Sequence, residues 1–87
     1  MFLVEVSRKA EKSALKMPPH YKIRISELIK RMAEDPVPAE EYDITKLEPR
    51  NDEYRARIGD IRILYKVFWD SYKVEIYRIE WRGSAYR

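Results

Sequence analysis

The chain has no cysteine, which removes disulfides, thiolate metal sites and thiol nucleophiles from consideration. Its one histidine, His20, rules out a histidine-pair metal site or a His–His acid/base couple. Glycine is scarce, and no Gly-rich phosphate loop is present. No apolar run approaches the ~20 residues that span a bilayer. The opening "MFLVEVSRKAEK" lacks the long apolar core and small-residue cleavage site of a signal peptide, so a cytoplasmic location without membrane contact is expected.

What remains is a short, charged, well-patterned chain. Its 87 residues allow a single domain, 1–87. A chain of this size buries roughly 60–65% of the surface it exposes when unfolded. Apolar residues make up 45% and charged residues 38%, which places it among globular rather than disordered chains. The net charge of +3 is unevenly held. Residues 1–45 carry 8 Lys/Arg against 8 Asp/Glu, whereas residues 46–87 carry 10 against 7. A local excess of this kind suits an anionic partner.

Phe2, Val4 and Val6 alternate with Leu3 and Glu5, as in a strand. Ser7 can cap a helix whose Ala10 and Ala14 share a face. Pro18-Pro19 ends it and can open a second helix, because proline is tolerated in the first turn. In "HYKIRISELIKRMAED", Ile25, Leu28, Ile29 and Met32 recur at i, i+3, i+4, i+7, an apolar stripe. "DPVPAEEYD" is a proline-broken connector with neither strand nor helix signal. From Glu53 the period becomes 2, and strands are expected over 53–58, 61–68 and 72–81. The expected fold is α+β, in the order β-α-α-β-β-β. A helix hairpin would cover one face of a four-stranded, mainly antiparallel sheet.

The stretch "EYRARIGDIRILYKV" concentrates the chemistry. Gly59-Asp60 between two strand-like runs indicates a two-residue turn of type I′ or II′. That turn sets Ile58 opposite Ile61, Arg57 opposite Arg62, Arg55 opposite Leu64 and Glu53 opposite Lys66. Tyr54, Ala56, Ile58, Ile61, Ile63 and Tyr65 then share the face that the helices cover. Arg55, Arg57, Arg62, Leu64 and Lys66 share the other. A tight turn at Asp70-Ser71 would extend the register to Tyr65–Ile76, Lys66–Glu75 and Val67–Val74, giving a Glu53–Lys66–Glu75 ion ladder. In this register the arginines have no acidic neighbour. Like charges directly opposite destabilise a sheet, and Arg55 stands only ~6.7 Å from Arg57 along the strand. A bound polyanion would offset that repulsion, and the guanidinium fork grips phosphate with two parallel hydrogen bonds.

The motif "YRARIGDIRILYKV", with the closing "RIEWRGSAYR", resembles the RelE/ParE superfamily of toxin–antitoxin toxins, and the element order agrees. The resemblance, strongest over 54–67, implies the RelE branch. Such a protein is a metal-independent mRNA interferase that needs no cofactor, works in the ribosomal A site and cuts mRNA. There the 2′-hydroxyl attacks the phosphodiester, leaving a cyclic phosphate and a free 5′-hydroxyl. Arg55 and Arg57 match strand residues that hold the RNA backbone. Arg62 matches the arginine that contacts the scissile phosphate. Arg82 and Tyr86 match the tail arginine and the tail tyrosine, the latter assigned as base and stacking partner. Lys46 is a further candidate for a backbone contact. The partners implied are the ribosome, mRNA and a small acidic antitoxin.

Two departures stand out. Trp81 occupies a position where the family often has histidine. Strict alternation from Val74 and Ile76 also turns Arg78 and Arg82 toward the helix-covered face. A bulge near Ile76-Tyr77, or departure from the sheet after Ile79, would turn Arg82 back. His20 reads as a surface residue, Trp69 and Trp81 as core or rim packing, and Ser84 has no base near it in sequence. Two other functions fit the same residues: a ParE-like toxin that binds DNA gyrase without cutting nucleic acid, and an inactive RNA-binding family member.

Overall fold

The computed structural model describes residues 1–49 and 51–81. It contains β1 (Leu3–Val6), α1 (Arg8–Leu15), α2 (Pro19–Glu34), β2 (Asp43–Lys46), β3 (Glu53–Ile58), β4 (Ile61–Phe68) and β5 (Lys73–Trp81). One sheet runs in the order β1-β5-β4-β3-β2, with β1 parallel to β5 and the other neighbours antiparallel.

The expected four-stranded sheet therefore has five strands, and the correction is β2. Only Ile44 of "DITK" is apolar and packs against the core, so the segment carries no period of its own. Its strand state comes from pairing with β3. The connector before it is pinned by Arg31, which pairs with Asp35 at 3.7 Å and with Glu41 at 2.5 Å. Pro36 and Pro38 are buried beneath it. Together these contacts deliver Asp43 to the sheet edge.

The helices form where the sequence suggests. Ser7 caps α1, its Oγ accepting from the Ala10 N–H at 3.1 Å. Pro19 opens α2 at N1. That helix buries Tyr21, Ile25, Leu28 and Met32, with Ile29 partly covered. Against them lie Ala56, Ile58, Ile61, Ile63, Tyr65, Val67, Val74, Ile76 and Ile79, each no more than 2% exposed. At ~1.5–3 kcal/mol for each large apolar side chain removed from water, this layer is the main source of stability.

Every pair expected between β3 and β4 is present, from Glu53–Lys66 to Ile58–Ile61. The turn has Gly59 at φ +56°, while Asp60 is not left-handed, which selects type II′ over I′. Tyr21 of α2 reaches this turn, its Oη accepting from the Asp60 N–H at 3.1 Å. The β4–β5 register begins as expected but shifts by one residue between Leu64 and Tyr65. Tyr65 pairs with Ile76 and Leu64 with Arg78, so Tyr77 is a bulge residue.

Candidate nucleic-acid interface

The bulge decides what the uncovered face of the sheet presents. Beyond it, Ile79 pairs with Ile63 and stays in the core, while Arg78 and Glu80 pair with Leu64 and Arg62 on the open side. The expectation that Arg78 would face the helices is thus corrected by the first of the two routes considered. Arg82 and Tyr86 lie outside the described residues.

Arg55, Arg57, Arg62 and Arg78 occupy the open face at the Gly59 end of the sheet. Arg57 and Arg62 are direct cross-strand partners. The expectation that no acid stands beside them is corrected by two carboxylates. Asp43 of β2 pairs with Arg57, Oδ2 to Nε 3.3 Å. Glu80 of β5 lies between Arg62 (4.0 Å) and Arg78 (3.2 Å). Both acids come from features without a sequence signature, a short edge strand and a bulge. Arg55 makes no ion pair among the described residues. Four arginines against two carboxylates leave an excess of two positive charges, all on half-exposed side chains open to a polyanion.

Lys46 does not join them. It pairs with Tyr54, a residue of the helix-covered face, lies 5.8 Å from the Tyr54 ring and pairs with Asp52 at 4.0 Å. Alternation along β2 puts Thr45, not Lys46, on the arginine side.

At the other end of the open face the register of the Glu53–Lys66–Glu75 ladder holds, but its charges turn elsewhere. Lys66 and Lys73 each lie 5.2 Å from the Phe68 ring. Glu53 accepts a hydrogen bond from Tyr77 Oη at 2.9 Å. Desolvation, then the Glu53 bond, pushes the Tyr77 hydroxyl up to about 12. The bulge thus adds an aromatic ring to the open face, reaching over β4 to β3. Trp81 packs edge-on against Tyr21, with ring centroids 5.4 Å apart. Trp69 packs on Phe2 at 5.7 Å, and His20 is exposed beside Tyr21. Among the described residues no group of three His, Asp or Glu side chains could hold a metal ion, and no helix is long and apolar enough to cross a membrane.

A helix pair on one side of the sheet and a basic, uncovered second side define a RelE-like fold. The chain superposes with a TM-score of 0.88 on the archaeal RelE–RelB complex structure from Pyrococcus horikoshii, at 32% identity over 97% of this chain and 98% of that one. The isolated Escherichia coli RelE toxin gives a TM-score of 0.79 at 16% identity, covering 98% and 88% of the two chains. The RelE1 protein of Methanocaldococcus jannaschii is 35% identical over 99% of this chain and 96% of its own length. The family model for the ParE toxin of type II toxin–antitoxin systems (parDE) matches residues 4–86. The chain belongs to the RelE/ParE superfamily of type II toxin–antitoxin toxins.

Proposed function

We propose that this toxin is a ribosome-dependent, metal-independent endoribonuclease of the RelE kind, cutting mRNA in the A site. The observation that carries this reading is the convergence of Arg55, Arg57, Arg62 and Arg78 on one uncovered sheet face. Attack by a 2′-hydroxyl needs in-line positioning, a proton acceptor and stabilisation of the charge growing on the phosphate. Arg55 and Arg57 hold the RNA backbone, and Arg62 contacts the scissile phosphate. Arg82 and Tyr86 complete the set, by resemblance, as phosphate contact and as base or stacking partner. Lys46, on the opposite face, would meet only RNA that wraps round the β2 edge.

An acidic antitoxin that covers the arginine face is the proposed cognate partner, in keeping with the RelE–RelB complex of the P. horikoshii relative. Cytoplasmic action follows from a ribosomal target. The test is addition of the purified protein to ribosomes programmed with a defined message. Cleavage within the A-site codon, leaving a cyclic phosphate and a 5′-hydroxyl, is the expected result.

The match to the ParE toxin family favours a second reading, a toxin that binds DNA gyrase. An intact message together with stalled gyrase supercoiling would select it. RNA binding with a steep salt slope, without cleavage or gyrase inhibition, would select an inactive RNA-binding member.

A further inference from the structure

Glu80 stands directly across the ladder from Arg62 and is one-third exposed, at 33%, on the open face. Its Oε1 lies 4.0 Å from Arg62 Nη1 and its Oε2 3.2 Å from Arg78 Nε. Among the described residues, the Arg57–Asp43 pair lies beyond Arg62, and Lys16 of α1 lines a cavity together with Glu80 and Trp81. A lone carboxylate placed between guanidiniums that would hold a phosphate is well sited to act on that phosphate's neighbour.

We propose that Glu80 is the general base of the cleavage reaction, an assignment that rests on the nuclease reading above. Glu80 takes the proton of the 2′-hydroxyl as the 2′-oxygen forms its bond to phosphorus. The bond from phosphorus to the 5′-oxygen breaks, and the departing oxygen takes a proton from water. Arg62 and Arg78 turn from the carboxylate to the phosphate as RNA enters.

Among the open-face groups near Arg62, the choice narrows by chemistry. Arginine does not give up its proton at neutral pH. Asp43 lies across from Arg57 at the β2 edge, one strand further from Arg62 than Glu80, and Glu53 is engaged by Tyr77 at the other end of the face. A tyrosine, with its ordinary value of ~10, is almost wholly protonated near neutrality, whereas a carboxylate is ionised. Tyr86 is then left to stack on a base.

The test is single-turnover cleavage on programmed ribosomes with the protein at saturation, across pH, for wild type, Glu80→Gln, Glu80→Asp and Tyr86→Phe. Glu80→Gln should lower the saturated rate by ~10²–10⁴-fold. Its melting temperature should stay close to wild type and its half-saturating concentration should not rise, because no shape is lost and a negative charge leaves an anion-binding face. The wild-type rate should fall on the acid side, where the base is protonated, and that limb should vanish in Glu80→Gln. Glu80→Asp and Tyr86→Phe should both keep it. A Glu80→Gln rate equal to or above wild type would make Glu80 a counter-ion and overturn the assignment. Loss of the acid limb in Tyr86→Phe alone would transfer the role to Tyr86. A message left whole by the wild type would overturn the nuclease reading, and this assignment with it.

Discussion

Arg57 and Arg62 face each other across a two-residue turn, and the acids that temper them come from opposite sides of the sheet. Exposed pairs such as Arg57–Asp43 contribute at most ~1 kcal/mol, so the cluster remains open to a stronger anion. The Arg57–Arg62 juxtaposition is legible in sequence because the turn fixes it locally. The approach of Asp43 to Arg57 and of Glu80 to Arg62 is not, since each acid is far in sequence from that arginine. Beneath this face, the buried Tyr65 hydroxyl has no hydrogen-bond partner among the described residues, and burial holds it well above the usual tyrosine range. An unpaired buried polar group costs ~1–3 kcal/mol. Tyr65→Phe should therefore raise the melting temperature, by ~4–8 °C for each kcal/mol recovered; a fall would mean the hydroxyl is paired. Tyr77 yields a second prediction. Its folded value of about 12 lies above the ordinary 10, so folding favours the protonated form. That contribution is complete below pH ~10 and is lost as pH rises through about 12. Phenolate ultraviolet absorbance should show late-titrating tyrosines, Tyr65 and Tyr77 among them, and Glu53→Gln should bring one of them to lower pH. An unchanged titration would remove Glu53 as a cause.

Among the elements, the β3–β4 hairpin and α2 depend on each other through Gly59. The left-handed φ of +56° alone disfavours any side chain, and a Cβ there would lie 2.5 Å from Tyr21 Oη. Gly59→Ala should cost ~1–2 kcal/mol from the backbone alone, with a further loss as Tyr21 is pushed off the Asp60 amide. A melting temperature within error of wild type would contradict this. Strand periodicity and turn chemistry made β3, β4 and their register readable in advance, because both are local and agree. The bulge at Tyr77 was readable only as one of two ways to turn Arg82. A single inserted residue flips every side chain after it, and nothing in "VEIYRIEW" marks where the insertion falls. Strand β2 was invisible for a related reason. Its pairing is imposed by β3 and by the Arg31 anchor on the connector, neither of which is written in "DITK" itself.

At the scale of the molecule, the two faces of one sheet divide the work. One is sealed by α1 and α2 over a continuous apolar layer. The other keeps the four arginines with Asp43 and Glu80 at one end, and the Tyr77 ring with Glu53 at the other, open to a flat or extended partner. Superfamily membership accounts for the shape, and the arginine set argues for message cleavage over gyrase binding. The proposed contact of Arg62 with the scissile phosphate carries the nuclease reading. The most direct measurement is the single-turnover rate of A-site cleavage by Arg62→Ala, a surface change that should leave the melting temperature close to wild type. Removing one charge-stabilising contact should slow cleavage by roughly 10²–10³-fold. Cleavage at the wild-type rate by a folded Arg62→Ala protein would exclude that contact.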